Sequence, residues 1–311
     1  MHLYVYTLLD DTLRSRLRAQ LPADVQVFFR NELPDEQQLP SFQSANVILG
    51  NPPAAWFADA PPPALQFWQI DSSGFEQYTG LQLPVPVANM GDYFAWPCAE
   101  SIVAGIMALY RNLPQLALLQ AEKRWVGPPV RANMQLMRHK RVVVLGAGYI
   151  GLAVRQQLSG FGCHTQLLAR TSPEAQLRSP KELKAVLPDI DLVINCLPGT
   201  AEGFYSAELI AAMQPGSVYA SVGRGNTTDE PALIAALQTG HLGGAVLDVT
   251  AVEPLPVDNP LWSMPNVILT QHSAGGQPDE DGGKVDMILL NLGRFRNGEP
   301  LESLVDVARG Y

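Results

Sequence analysis

Three polar residues in the second half of the sequence suit acid–base chemistry on a small anion, namely Arg224, Glu253 and His272. An imidazolium donates a proton to a developing negative charge, and a neighbouring carboxylate keeps that imidazolium charged and oriented. A guanidinium binds a planar carboxylate through paired hydrogen bonds. Each residue follows a short apolar run that is typical of a buried strand. Because the loops after parallel strands meet at one edge of a sheet, we expect the three side chains to lie close together.

Taken singly, each of these residues also suits a structural role. Arg224 fits a surface salt bridge, Glu253 fits the start of a helix before Pro254, and His272 fits a buried histidine bonded to the backbone. The occurrence of all three after apolar runs, in this order, favours a shared chemical role.

A glycine-rich segment between an apolar strand and a helix indicates a site for a dinucleotide. The strand 141–145 is followed by the pattern G-x-G-x-x-G. In this pattern the first glycine allows a tight turn, the second lets the backbone approach the pyrophosphate, and the third lets the helix pack on the strand. The residues expected to line the pyrophosphate are Gly146, Gly148, Tyr149, Ile150 and Gly151.

The end of the next strand indicates which dinucleotide binds. An enzyme specific for NAD usually has an acidic residue about 20 residues after the glycine loop, where it binds the ribose hydroxyls. This sequence has Ala169, Arg170 and Thr171 there instead. An arginine binds a 2′-phosphate that a carboxylate would repel, so we expect NADP(H) to be preferred, with NAD(H) possible. The alternative is that Arg170 is a solvated residue at the end of a strand.

The order of the motifs resembles that of the D-isomer-specific 2-hydroxyacid dehydrogenases. The family pattern is a G-x-G-x-x-G loop, an Arg-Gly segment, an L-D-V-x-x-x-E-P segment and a T-x-H segment. The matching stretches here are 146–151, 221–225, 247–254 and 270–275. Within the family the chain is most similar to the form A glyoxylate/hydroxypyruvate reductases, including its closing segment 305–311.

The resemblance implies an oxidoreductase that reduces small 2-oxo acids such as glyoxylate and hydroxypyruvate with NADPH. It implies that Arg224 binds the carboxylate and carbonyl of the substrate, that His272 is the general acid, and that Glu253 is its partner. It also implies cofactor contacts from Leu197, Pro198, Val222 and Gly223, and from Asp248 beside the nicotinamide carboxamide. The segment 70–76 resembles the substrate loop of the family, in which the backbone at Ser73 and Gly74 would bind the substrate carboxylate.

The sequence departs from the family pattern near these motifs. The family often has proline where this chain has Gln271, and an aromatic residue where it has Thr250. We expect both differences to loosen the loops of the site or to reshape its pocket. Phe75-Glu76 replaces a frequent Val-Asp, which bears on the identity of the substrate more than on the reaction.

The length and the alternation of elements predict the fold class. At roughly 150 residues per domain, 311 residues suggest two domains. Apolar runs alternate with helical segments, which is typical of α/β proteins with parallel sheets. We expect two doubly wound parallel-sheet domains, a Rossmann cofactor domain and a flavodoxin-like substrate domain. The cofactor domain would comprise residues 91–276, and the substrate domain residues 1–90 and 277–311.

Individual elements follow from the same patterns. The predicted strands are 2–8, 25–29, 46–49, 65–70, 141–145, 165–168, 192–197 and 267–270, and the predicted helices are 13–21, 150–158, 181–187 and 284–296. The segment 96–119 is apolar nearly all round, with an interruption at Pro114. A helix of that kind is buried between domains or subunits, so we expect a subunit interface and a homodimer.

Composition excludes several classes of protein. A net charge of −9 and a pI near 5.0 disfavour nucleic acid or an anionic membrane as the main partner. The three cysteines lack the spacing of metal ligands, so we expect reduced core residues and no metal site. The N-terminal segment lacks the basic start of a signal peptide, and the apolar stretch 102–110 is shorter than a membrane span. We therefore expect a soluble, cytoplasmic protein.

A second function on the same fold stays open at this point. Co-repressors of this type share the fold and much of the site, so the chain also suits a dinucleotide-sensing interaction protein. A peptide-binding groove on the first domain would distinguish such a protein, and one sequence cannot show it. The two alternatives differ in a simple observation, which is whether NADPH is consumed when a 2-oxo acid is added.

Overall fold

Short apolar runs form the strands of two separate, mostly parallel sheets, as the sequence predicts. The computed structural model describes residues 1–57 and 60–310. The chain divides into unit 1, which comprises Met1–Phe94 and Gln277–Tyr311, and unit 2, which comprises Ala95–Gly276. Tyr311, the last residue of the closing segment, lies outside the described residues.

The described residues form twelve strands and ten α-helices, numbered in chain order. The strands are β1 (His2–Val5), β2 (Gln26–Phe29), β3 (Val47–Leu49), β4 (Phe67–Gln69), β5 (Val87–Ala88), β6 (Arg141–Leu145), β7 (His164–Leu168), β8 (Leu192–Asn195), β9 (Val218–Ser221), β10 (Gly244–Leu247), β11 (Val267–Leu269) and β12 (Leu304–Val305). The helices are α1 (Asp11–Gln20), α2 (Asp35–Gln43), α3 (Ala95–Tyr110), α4 (Leu113–Ala121), α5 (Pro128–Ala132), α6 (Tyr149–Ser159), α7 (Pro180–Val186), α8 (Ala207–Ala212), α9 (Glu230–Gln238) and α10 (Glu280–Arg296).

Unit 1 is built on a sheet with the strand order β12-β5-β4-β3-β1-β2. All neighbouring strands are parallel except the edge strand β12, which pairs antiparallel with β5. Both faces of the sheet are buried. Leu3 and Val5 of β1 pack in one apolar cluster with Ile288 of α10, and Tyr4 packs in a second cluster with Trp68 of β4. Burial of both faces explains why these strands are continuous apolar runs.

Unit 2 is built on a wholly parallel sheet with the strand order β11-β10-β9-β8-β6-β7. The order reverses at β6, which pairs with β7 on one side and β8 on the other. A ligand of a doubly wound sheet binds beyond the carboxyl ends of the strands at such a reversal. Next to β7, the following stretch contributes only an isolated parallel bridge between Leu177 and Leu168. The doubly wound α/β fold that the sequence predicts is confirmed.

The apolar segment 96–119 forms two helices rather than one. Its first part, α3, packs against α6 and β10 of unit 2, and buried residues such as Ile102 and Ile106 lie on its inner face. The predicted location between domains or subunits stays a prediction for α3, because half of its residues are not buried within unit 2 and Trp96 is 47% exposed. The second part, α4, begins after Asn112 in a left-handed conformation, with Pro114 in its first turn. Among the described residues no single helix is long and apolar enough to span a membrane, and only α3 and α4 together, bent by 68°, meet that length and composition.

The acidic stretch that begins α10 has a local explanation. Glu280 and Asp281 lie in the first turn of the helix, where negative charge interacts favourably with the helix dipole. The ammonium of Lys284 lies 3.0 Å from a carboxylate oxygen of Glu280 and 2.8 Å from one of Asp281. Lys284 therefore pairs with both carboxylates of the acidic stretch within about one turn of the helix.

Candidate active site

The glycine loop leaves open donors at the start of α6. Gly146 follows β6 with a φ of +101°, a conformation that favours glycine. A Cβ atom at Gly151 would collide with the carbonyl oxygen of Gly146, whereas one at Gly148 would meet nothing within 4 Å. Among the described residues, none accepts a hydrogen bond from the N–H groups of Gly148, Tyr149 or Ile150. This combination of open space and unpaired donors fits a pyrophosphate at the helix N-terminus.

The loop after β7 carries no carboxylate at the predicted ribose position. β7 ends at Leu168, and Ala169, Arg170 and Thr171 follow directly, as predicted from the sequence. The guanidinium of Arg178 donates hydrogen bonds to the main-chain oxygens of Ala169 and Ser172, at the two ends of this loop. Sequence reasoning did not mark Arg178, because only the tertiary pairing of residue 177 brings it to this loop.

The loop that carries Arg224 follows β9 and lies against the loop after β10. The side chain of Arg224 is half-buried, and its Nη1 donates to the carbonyl oxygen of Gly223 at 2.9 Å. A Cβ atom at Gly225 would overlap the carbonyl oxygen of Thr250. Glycine is therefore required after Arg224, because any side chain would separate the two loops. The close approach puts the arginine loop beside the segment that contains Glu253.

A buried asparagine, Asn195, lies at the end of β8 and was not predicted from the sequence. It joins the loop after β8 to the loop after β9. Asn195 is 0% exposed, and its Nδ2 donates to Thr227 Oγ1 at 2.8 Å. Its Oδ1 accepts from the Leu197 N–H at 3.0 Å, and its main-chain oxygen accepts from the Gly223 N–H at 3.1 Å. Thr227 Oγ1 in turn donates to the main-chain oxygen of Arg224 at 2.6 Å. Asn195 therefore orders the predicted cofactor loops and the arginine loop together.

His272 and Glu253 are in direct contact. The imidazole Nδ1 of His272 lies 2.6 Å from Glu253 Oε2, and the other oxygen of this carboxylate accepts from the Thr250 N–H at 2.9 Å. Since a carboxylate accepts, Nδ1 is the donor, and Nε2 has no hydrogen-bond partner among the described residues. The imidazole side chain is 50% exposed. The pair thus presents Nε2 for exchange of a proton with a bound molecule.

The turn that carries His272 is held by a buried carboxylate. Asp248 is 5% exposed, and its Oδ1 accepts from Thr270 Oγ1 at 2.6 Å, the Ser273 N–H at 3.0 Å and the Ala274 N–H at 3.1 Å. Its main-chain oxygen also accepts from the His272 N–H at 2.6 Å. Asp248 therefore orients the imidazole through its backbone, and the predicted contact of Asp248 with the nicotinamide carboxamide stays a prediction.

Two consecutive residues in this turn adopt left-handed backbone conformations. The φ angles of Gln271 and His272 are +55° and +54°. Such conformations cost residues with a side chain on the order of 1 kcal/mol each and persist only where the surroundings enforce them. The four hydrogen bonds to Asp248 supply that enforcement.

A cavity of about 400 Å³ lies beside the pair of Glu253 and His272. Thr250 and Gln271, the two departures from the family pattern, are both part of its wall. Its apolar residues are Leu247, Pro254, Leu255, Trp262 and Leu269. The departures therefore lie next to the imidazole, and their expected effect on the loops or on the shape of the pocket stays a prediction.

The predicted substrate loop lies in unit 1 and is braced by polar side chains. Asn89 Nδ2 donates to the main-chain oxygen of Ser73 at 2.9 Å, and Ser72 Oγ donates to that of Gly74 at 2.6 Å. Within residues 1–57 and 60–310, none accepts from the N–H groups of Ser73 and Gly74. Burial raises the pKa of the Asp71 carboxyl, although the Thr7 hydroxyl donates to it at 2.7 Å. The role of the two N–H groups in binding a substrate carboxylate stays a prediction.

The cysteines offer no site of their own. In the described part of the chain no disulfide joins Cys98, Cys163 and Cys196. Burial raises the pKa of the Cys196 thiol, and to a smaller degree that of Cys163. The same residues 1–57 and 60–310 contain no group of three or more His, Cys, Asp or Glu side chains that could hold a metal ion.

Comparison with known proteins places unit 2 in a family. A family model described as "D-isomer specific 2-hydroxyacid dehydrogenase, NAD binding domain" matches residues 103–274. A glyoxylate/hydroxypyruvate reductase A from Serratia proteamaculans is 30% identical over 238 residues, which cover 74% of this chain and 74% of the relative. A relative from Corynebacterium melassecola, described as uncharacterized, is 30% identical over 288 residues that cover 88% of this chain and 93% of the relative.

Solved structures extend the likeness to both units. A D-isomer-specific 2-hydroxyacid dehydrogenase from Xanthobacter autotrophicus, in complex with NADPH and MES, is 28% identical, with a TM-score of 0.80 over 100% of this chain and 99% of that chain. An NADPH-dependent glyoxylate/hydroxypyruvate reductase from Sinorhizobium meliloti, in complex with NADP and sulfate, shares the fold with a TM-score of 0.82 at 22% identity, over 100% and 99% of the two chains. The chain therefore belongs to the D-isomer-specific 2-hydroxyacid dehydrogenases, which are NAD(P)-dependent oxidoreductases.

Proposed function

We propose that the protein reduces small 2-oxo acids, such as glyoxylate and hydroxypyruvate, to 2-hydroxy acids with NADPH. The observation that carries the proposal is the pairing of His272 Nδ1 with Glu253 at 2.6 Å, which leaves Nε2 for a substrate. The open donors at the start of α6 and the Arg-Gly loop beside Thr250 support it. The reductase relatives supply the substrate class.

The residues of unit 2 would divide the chemistry as follows. The dihydronicotinamide, when bound, supplies a hydride to the carbonyl carbon of the 2-oxo acid. His272 donates a proton from Nε2 to the carbonyl oxygen as negative charge develops there. Glu253 keeps the imidazole oriented and favours its charged form before transfer. Arg224 binds the carboxylate and the carbonyl oxygen through its guanidinium.

The unit 1 loop would add backbone donors for the substrate carboxylate. We assign this role to the N–H groups of Ser73 and Gly74, because two adjacent amides without an acceptor among the described residues are suited to bind an anion. The neighbouring Asp71 disfavours a second anionic group in the substrate at this loop. The proposal is therefore directed at simple 2-oxo acids rather than phosphorylated ones.

A direct test of the function is to follow the absorbance of NADPH after glyoxylate or hydroxypyruvate is added to the purified protein. We expect the absorbance to fall in proportion to the amount of protein. Binding of NADPH without any turnover of either acid would contradict the proposal and favour the dinucleotide-sensing, co-repressor-like alternative. The matched control is the same assay with the acid omitted.

The cofactor preference follows from Ala169 and Arg170. We expect a higher kcat/KM with NADPH than with NADH, and we expect Arg170→Ala to erase most of the difference. A charge-assisted contact of about 1.5–3 kcal/mol corresponds to roughly ten- to a hundredfold. Steady-state kinetics with both cofactors measure this effect, and Arg138→Ala, an exposed arginine elsewhere in unit 2, is the control. Equal efficiency with both cofactors in the unaltered protein would contradict the assignment.

We also propose that the protein is a homodimer that uses α4. The structure describes α4 in full, and none of its residues is buried, although the helix is apolar. The side chains of Leu113 and Leu118 are 51% and 67% exposed. Trp125, which follows the helix, is 100% exposed. An apolar surface of this kind is typical of an interface. Light scattering tests the proposal: we expect twice the chain mass of 33.8 kDa, and the chain mass alone for Leu118→Glu but not for Leu39→Glu in α2.

A further inference from the structure

Arg178 closes the loop that follows β7. Leu177 pairs with Leu168 in a parallel bridge, so the next residues, Arg178 and Ala169, run side by side. Arg178 Nη1 donates to the main-chain oxygen of Ala169 at 3.2 Å and to that of Ser172. One guanidinium thus spans the whole segment in which the 2′-phosphate of NADP would be recognised.

The position of Arg178 is itself fixed by the start of α7. Its N–H donates to Glu182 Oε2 at 2.8 Å, and Ser179 Oγ donates to Glu182 Oε1 at 3.0 Å. Ser179 Oγ also accepts from the N–H of Glu182 at 3.3 Å, so that Ser179 caps the helix and Glu182 reaches back to the residue before the cap. The backbone at residue 178 is therefore ordered independently of the loop that its side chain holds.

The acidic residues near this loop are engaged with other partners. Both oxygens of Glu182 accept from the neutral donors of the cap. The carboxylate of Glu174 pairs with Arg155, with 2.7 Å between oxygen and nitrogen. The two bonds from Arg178 to the loop use Nη1 alone, and a guanidinium has five N–H donors on three nitrogens. Among residues 1–57 and 60–310, no carboxylate accepts a hydrogen bond from this guanidinium.

We infer that Arg178 is a specificity-determining residue that supplies, with Arg170, the second positive charge for the 2′-phosphate of NADP(H). A phosphate monoester carries nearly two negative charges at neutral pH, so one arginine neutralises only part of its charge. A second positive charge at this loop strengthens the attraction for a 2′-phosphate and not for a plain ribose, which adds to the discrimination between them. The inference rests on the NADP preference proposed above and adds a residue that the sequence motif lacks.

The test separates the charge of Arg178 from its role in holding the loop. Calorimetry would measure binding of adenosine 2′,5′-bisphosphate and of 5′-AMP to the unaltered protein, Arg178→Ala, Arg178→Gln and Lys181→Ala. Glutamine retains an N–H donor for the loop carbonyls but has no charge. Lys181 is an exposed cation on α7 and serves as the control.

We expect both Arg178 variants to bind the bisphosphate about tenfold or more weakly, a change of about 1.4 kcal/mol, and to bind 5′-AMP as the unaltered protein does. Lys181→Ala should bind both ligands normally. Equal losses for both ligands, or normal binding by Arg178→Gln, would show that Arg178 only holds the loop and would overturn the inference. If the unaltered protein itself binds the two ligands equally, the NADP preference fails as well, so the two failures are distinguishable.

Discussion

Replacing His272 with asparagine should lower turnover of glyoxylate by about 10²–10⁴, the range typical of losing a positioned general acid. Asparagine can still donate an N–H to Glu253, but it cannot deliver a proton to a carbonyl oxygen at neutral pH. The glycine loop follows another strand, β6, so NADPH should bind as before. Stopped-flow measurement of a single turnover, with fluorescence titration of NADPH, measures both quantities.

His164→Asn is the matched control for this substitution. His164 is an exposed histidine at the start of β7, at the edge of the sheet away from the strand carboxyl ends. Its replacement should leave both turnover and NADPH binding unchanged. Reduction of glyoxylate by His272→Asn at nearly the unaltered rate would refute the role assigned to the imidazole, whatever the family likeness implies.

Replacing Arg224 with lysine should raise the KM for glyoxylate by roughly ten- to a hundredfold. The change keeps one positive charge but loses the planar pair of donors that matches a carboxylate. A charge-assisted hydrogen bond of about 1.5–3 kcal/mol accounts for that range. The main-chain bonds of Thr227 and Asn195 hold the arginine loop independently of the side chain, so the loop should stay in place.

Arg138→Lys provides the comparison, because Arg138 is exposed in unit 2 and lies outside the predicted motifs. Initial rates over a range of glyoxylate concentrations give KM and kcat separately for each variant. A normal KM together with a reduced kcat in Arg224→Lys would argue against carboxylate binding and for a role of the guanidinium at the transition state alone.

The fold could be predicted from the sequence because local patterns determine most of it. Strand β6 has its predicted limits, and β1, β3 and β8 start or end within a few residues of theirs. The helix α2 was missed, since Pro40 interrupts it and its composition is mostly polar. The environment of α3 could be predicted only in part, because half of its residues are buried within unit 2. An apolar helix requires burial, but its sequence does not say which surface buries it.

The residues whose own side chains carry the chemistry could be predicted from the sequence. The residues that only hold those side chains or their loops in position could not. The contact of Glu253 with His272 follows from motifs. Asn195 and Arg178 act through hydrogen bonds to residues far along the chain, and no periodicity in the sequence records such pairings. The same holds for the triple hydrogen bond at Asp248, which depends on how the turn after β11 folds over β10.

The left-handed backbone at Gln271 limits what can be exchanged between this enzyme and its relatives. A common way to stabilise a protein is to install the residue that related sequences favour at a position, which here would be proline. The proline ring holds φ near −65°, whereas residue 271 has a φ of +55°. Such a replacement would change the φ angle of residue 271 by about 120°, immediately before His272. The proline-containing turn of a relative could therefore be introduced only as a complete segment. That segment would have to include the groups that donate hydrogen bonds to the carboxylate of Asp248.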